Sequence, residues 1–89
     1  MASPTYEEVL QGIREELAAI KVPGGETATP ESTWSDLDVD SLDLVEVVKA
    51  LEDRYDIQIA DGRLKSIAKV GDAVALVQEL VTEKEGAAA

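Results

Sequence analysis

The stretch Asp36-Leu37-Asp38-Val39-Asp40-Ser41-Leu42-Asp43-Leu44-Val45-Glu46-Val47-Val48 changes character at Ser41. Before Ser41, acids alternate with single apolar residues. After it, Leu44, Val47, Val48, Leu51 and Tyr55 recur on one face at the helical period, which predicts an amphipathic helix. Asp40 has the side chain of an N-cap, and Asp43 puts a negative charge in the first turn, near the positive end of the helix dipole. The pattern dissolves at Asp56, which bounds this helix to residues 41–55.

Upstream, Pro23, Gly24, Gly25 and Pro30 open a long loop that runs to about residue 39. Trp34 and Leu37 are isolated apolar residues within it and are expected to pin it onto the core. Before the loop, Ser3, Pro4 and Thr5 precede Glu7 and Glu8, with Thr5 and Glu8 at capping-box spacing. Tyr6, Leu10, Ile13, Leu17 and Ile20 then predict a first helix over residues 5–20.

Downstream, Ile57 and Ile59 alternate too briefly for an independent strand. Gly62 to Ala68 reads as a short helical turn with Leu64 and Ile67 inward. A last helix is expected from Gly71 to Thr82, with Val74, Val77 and Val81 inside beside Ala73 and Leu80. Residues 83–89 have nothing to bury and are expected to fray. The chain thus reads as all-α: a single domain over residues 1–89, folded over 5–82. It is a small four-helix bundle, three main helices and a short third one, with a long first connection.

Composition narrows the chemistry. With 89 residues and 45% apolar content the chain makes one small globular domain. Val, Leu and Ile total 24 against one Trp, two Tyr and no Phe, so the core must be aliphatic. There is no Cys and no His, which removes thiol chemistry, cysteine-based zinc sites and imidazole acid/base catalysis. No apolar run approaches the roughly 20 residues that span a bilayer, and the N-terminus lacks a basic-then-apolar signal. A soluble cytoplasmic protein is the expectation, without membrane insertion. The net charge of −11 argues against nucleic acid and favours partners with basic patches.

That charge is concentrated. Residues 35–61 carry nine acids and two bases, net −7, whereas residues 62–89 carry four of each. On a helical wheel Asp43, Glu46, Lys49 and Asp53 line the outer face of the second helix, with Glu52 at one border. Leu42 lies on the same face and Val45 near its edge. An apolar pair amid acids suits a docking surface; the alternative is that the two merely cover the flanking loop. Ser41 has no base to activate it as a nucleophile. It does sit at a helix start, where backbone N–H groups and the dipole favour a phosphate, so a phosphorylated or phospho-alkylated serine would suit the site.

The run Asp36–Val48 resembles the prosthetic-group site of acyl carrier proteins, most like the discrete carriers of actinobacterial fatty acid and polyketide synthesis. The likeness extends through Ala50-Leu51-Glu52-Asp53-Arg54-Tyr55 and Ile57-Gln58-Ile59, and resumes at Val70-Gly71-Asp72-Ala73. It implies that Ser41 is esterified with 4′-phosphopantetheine, taken from coenzyme A by a phosphopantetheinyl transferase. An acyl chain would then ride as a thioester on the terminal thiol. It also implies that Asp40, Leu42, Asp43, Val45, Glu46, Glu52 and Asp53, with Lys49 on the same face, meet basic patches on ketosynthases, acyltransferases and other synthase enzymes. The carrier is expected to be a monomer with no catalytic residue and no metal.

Some positions depart from the pattern. Asp38 stands where many carriers have Gly, Lys49 where an apolar residue is usual, and Ala60 where Pro is frequent. Gly62, Arg63, Lys65 and Lys69 replace a more acidic segment, and Lys69 stands at a common capping Thr. Three other readings compete. Asp36, Asp38 and Asp40 match the first ligand positions of a calcium loop, but Ser41, Leu44 and Val47 fail its later ones. A peptidyl or aminoacyl carrier shares the chemistry, although Asp40 and the acidity favour acyl cargo. A helical adaptor would have no prosthetic group.

Overall fold

The computed structural model describes residues 4–88, with side chains through Lys84; Ser3, read as part of the helix start, and Ala89, of the expected tail, lie outside them. Three α-helices, α1 (Tyr6–Ala19), α2 (Ser41–Tyr55) and α3 (Val70–Ala88), are joined by loops carrying 3₁₀ turns at Gly25–Thr27 and Asp61–Ser66. Counting the second turn as the short third helix, this is the small all-α bundle that the periodicity predicts.

Helix α1 starts through the capping box. Thr5 Oγ1 accepts from the Glu8 N–H at 3.1 Å, and Glu8 Oε1 accepts from the Thr5 N–H at 3.1 Å. Its inner face is Val9, Leu10, Ile13 and Leu17. Tyr6, expected on that face, is 38% exposed, and Val9 takes the inward position. The helix ends at Ala19 with Ile20 as its C-cap, within one residue of the expected end. Lys21 adopts φ 61°, the Val22 N–H donates to Leu17 O at 2.9 Å, and the Lys21 N–H donates to Ala18 O at 3.0 Å. This is a Schellman ending with lysine where glycine is favoured. A left-handed L-residue costs roughly 1–2 kcal/mol, and glycine gives back about 0.5–1 through its looser unfolded chain. Lys21→Gly is therefore expected to stabilise the domain by about 0.5–1 kcal/mol, raising Tm by a few degrees in a thermal melt. A lower Tm would contradict this account.

The long loop is stitched down. Arg14 Nε donates to Ala28 O at 2.7 Å. Gly25 lies so near α1 that a Cβ there would stand 2.6 Å from Leu17 Cβ. Trp34 is 6% exposed, and its Nε1–H donates to Ile67 O at 3.0 Å. Thr33 and Lys69 form an isolated antiparallel bridge, flanked by Val70 N–H to Ser32 O and Gly71 N–H to Pro30 O, both at 2.9 Å. Trp34 and Leu37 do pin the loop, and buried Val39 joins them.

Helix α3 is longer at both ends than expected. Its start is capped by Asp72, whose Oδ2 accepts from the Ala68 and Lys69 N–H groups at 3.0 and 3.2 Å. A threonine at Lys69 would accept instead from an N–H inside the first turn, where the Val70 and Gly71 N–H groups already go to Ser32 O and Pro30 O. Val70, Ala73, Val74, Leu76, Val77 and Val81 are buried, while Leu80 is half-buried. The helix continues through Ala88 instead of ending at Thr82. Lys84 Nζ donates to Asp56 Oδ2 at 2.7 Å and Asp56 O at 2.9 Å, tying this extension to the end of α2. The hydrogen bond from Lys84, helped by its charge, holds the Asp56 carboxyl below its ordinary value.

The short third helix is looser than expected. No residue of Asp61–Ser66 is buried, Leu64 is half-buried, and inward Ile67 follows the turn. Ile57 and Ile59 are buried either side of exposed Gln58, so the extended segment alternates as its sequence suggests.

Candidate functional site

The approach to Ser41 is built from backbone outward. Trp34 O accepts from the Val39 N–H at 2.8 Å, and Val39 is buried, so the chain is anchored two residues before the helix. Just ahead of that anchor Asp38 takes φ 60°. This left-handed turn explains why glycine suits the position, and Asp is among the few other residues that tolerate it. Asp40 is extended, and its Oδ1 accepts from the Asp43 N–H at 2.9 Å, the N-cap expected of it. Helix α2 then begins at Ser41.

Ser41 is exposed, and its hydroxyl has no hydrogen-bond partner among the described residues. The Asp43 N–H is taken by the Asp40 side chain and the Leu44 N–H by Asp40 O at 2.9 Å. That leaves the N–H groups of Ser41 and Leu42 without acceptors among the described residues, at the positive end of a 15-residue helix. A phosphate esterified to Ser41 would fit there: the hydroxyl is reachable, and free donors stand beside it.

The outer face of α2 assembles as the wheel predicts, with two refinements. Leu42 is 78% exposed, a large apolar side chain left in water. Glu46, Lys49 and Asp53 are exposed, whereas Asp43, Val45 and Glu52 are half-buried. Glu52 Oε2 accepts from the Ile59 N–H at 2.7 Å, so this carboxylate also holds the segment after α2. The sequence reading missed that use, because the bond joins α2 to a segment outside its own periodicity. Lys49 is in no ion pair among the described residues, despite acids three and four residues away. Asp36, Asp38 and Asp40 do not form a cage: among the described residues no cluster of three or more metal-ligating side chains comes together.

Comparison with known proteins fits this geometry. Residues 8–77 match the family model described as the phosphopantetheine attachment site. The meromycolate extension acyl carrier protein of Mycolicibacterium smegmatis is 38% identical over 86 residues, covering 96% of this chain and 87% of that protein. Its counterpart in Mycobacterium tuberculosis is 39% identical over 85 residues, covering 94% and 74%. The chloroplastic acyl carrier protein 1 of Hordeum vulgare is 41% identical over 80 residues; the match takes in 90% of this chain and about half, 52%, of the barley protein. The chain belongs to the acyl carrier protein family, with 4′-phosphopantetheine as its prosthetic group. That family is one of carriers rather than catalysts, and its members work through other proteins. Among the described residues no helix is long and apolar enough to cross a membrane.

Proposed function

We propose that Ser41 is the residue that carries 4′-phosphopantetheine. On this reading the chain presents fatty acyl or polyketide chains to its partners as a single cytoplasmic domain and a monomer. The observation that carries the reading is the exposed Ser41 hydroxyl beside two free N–H donors at the start of α2. Ser41 Oγ forms a phosphodiester with the pantetheine phosphate of coenzyme A, and the nucleotide leaves. The serine proton goes to a base of the transferase, since this chain has no His or Cys to take it. The prosthetic group supplies a thiol on which the acyl chain is held as a thioester. The chain's own residues hold the attachment point at a helix end and offer a docking face, which raises the effective concentration of cargo at each partner.

That face comprises Asp40, Leu42, Asp43, Val45, Glu46, Lys49, Glu52 and Asp53. It suits phosphopantetheinyl transferases, ketosynthases, acyltransferases and other synthase enzymes with basic patches around an apolar socket. Leu42 is the apolar anchor and the carboxylates steer the encounter. Glu46→Lys is expected to slow transfer to such a partner about tenfold at low salt, and the deficit should shrink as salt shortens the screening length. The domain should stay folded, because Glu46 is exposed. Stopped-flow transfer rates at two ionic strengths, read beside a thermal melt, test this. Rates indifferent to both salt and Glu46→Lys would reduce the face to solvated surface.

A further inference from the structure

Residues 62–71 hold Arg63, Lys65 and Lys69 and no acid, the longest acid-free run in a chain with 19 acids and 8 bases. Their cations have unlike surroundings. Arg63 Nη2 donates to Glu79 Oε2 at 2.7 Å, and Lys69 Nζ lies 3.5 Å from Glu31 Oε2. Lys65 is exposed and in no ion pair among the described residues. The turn explains its isolation. In a 3₁₀ helix, side chains three apart eclipse, so Lys65 stacks over Gly62, and Asp61 is out of its row. The turn follows α2 by five residues and is tied to it by the Glu52 carboxylate on the Ile59 N–H.

We infer that the Asp61–Ser66 turn is a second docking point, of opposite sign to α2, where Lys65, the cation of this run left out of the ion pairs that hold Arg63 and Lys69, meets a carboxylate on the partner enzyme. The inference rests on α2 being the primary docking face. A protein is the fitting occupant, because a chain of net charge −11 is repelled as a whole by nucleic acid and anionic lipid. The partner's surface must therefore be bipolar, basic against α2 and acidic against the turn. Such a pattern sets the rotational register of docking. It also rejects partners whose basic patch continues across the turn, since like charges would face each other at Lys65.

The test uses the holo-protein and a ketosynthase from the producing organism. A zero-length carbodiimide activates carboxylates; attack by Lys65 Nζ on an activated partner carboxyl forms an amide and releases the reagent as a urea. Peptide mass spectrometry is expected to find Lys65 joined to an Asp or Glu of the ketosynthase. In kinetics, Lys65→Glu should raise the KM for the loaded carrier about fivefold to tenfold at low salt, with kcat little changed, and Lys65→Arg should restore it. If Glu46→Lys raises KM while Lys65→Glu does not and Lys65 yields no cross-link, the second docking point is refuted and the α2 reading stands. If neither substitution moves KM, both fall together.

Discussion

Ser41→Ala protein, co-expressed with a phosphopantetheinyl transferase, is expected to keep the mass of the unmodified chain, while the parent gains one phosphopantetheine. The effect should be complete, because the other Ser and Thr hydroxyls among the described residues are differently placed. Thr5 Oγ1 and Thr33 Oγ1 accept from the N–H groups of Glu8 and Asp36. Thr27 and Ser66 donate to backbone carbonyls, and Thr29 and Ser32 hydrogen-bond to each other. Ser35 lies in a turn, and Thr82 lies inside α3, where the backbone N–H groups are spent on the helix. Ser41 alone among these opens a long helix with donors to spare. The loss should not come from unfolding, since an exposed side chain outside the cap changes stability by no more than about 0.5 kcal/mol. The absence of Cys makes the assay clean: thiol titration should read zero for the apo-protein and for Ser41→Ala, and one for the holo-protein. A Ser41→Ala protein that acquires a titratable thiol would overturn the assignment.

Helix α2 and its outer face were legible in the sequence because their signals are local. An N-cap, an acid in the first turn and a repeating apolar stripe all lie within residues 40–55, and each is a nearest-neighbour effect along one helix. What escaped the reading depends on distant partners. Val39 sits between two acids with no period to mark it, yet it is buried in the core, and Trp34 O takes its N–H. Spacing puts Glu52 at the border of the outer face, and only the fold brings the Ile59 N–H to its carboxylate. Asp72 had a readable signal, an acid three residues beyond Lys69: its carboxylate takes the Lys69 N–H, the half of a capping box that needs no threonine. Burial alone does not mark the end of α3. The Lys84 contact with Asp56, 28 residues away, and the helix-forming Glu, Lys and Ala content favour continuation.

Trp34→Ala is expected to cause the largest loss of stability of any single truncation in the loop that leads to Ser41. Trp34 is the one aromatic in an otherwise aliphatic buried core, and emptying such a site typically costs about 3–5 kcal/mol. Domains of this kind have only about 5–15 kcal/mol in total. The substitution also leaves Ile67 O without its donor and frees the loop that carries Val39 and Asp40 to the start of α2. Trp34→Phe separates these effects. It keeps most of the apolar body and removes the N–H, so about 1–3 kcal/mol should be lost through the unsatisfied Ile67 carbonyl, lowering Tm by on the order of ten degrees. The Phe protein should remain folded at room temperature, with enhanced amide exchange at Val39 and at residues 67–70. Its modification at Ser41 should be slower than the parent's even where it is fully folded, because the anchor that aims the helix start has loosened. Thermal melts and transferase kinetics on the two variants decide the matter. If Trp34→Ala melts within a few degrees of the parent, the loop is held by its backbone bonds and Trp34 is not the pin; if Trp34→Phe is modified at the parent rate, the Trp34–Ile67 bond does not position the site.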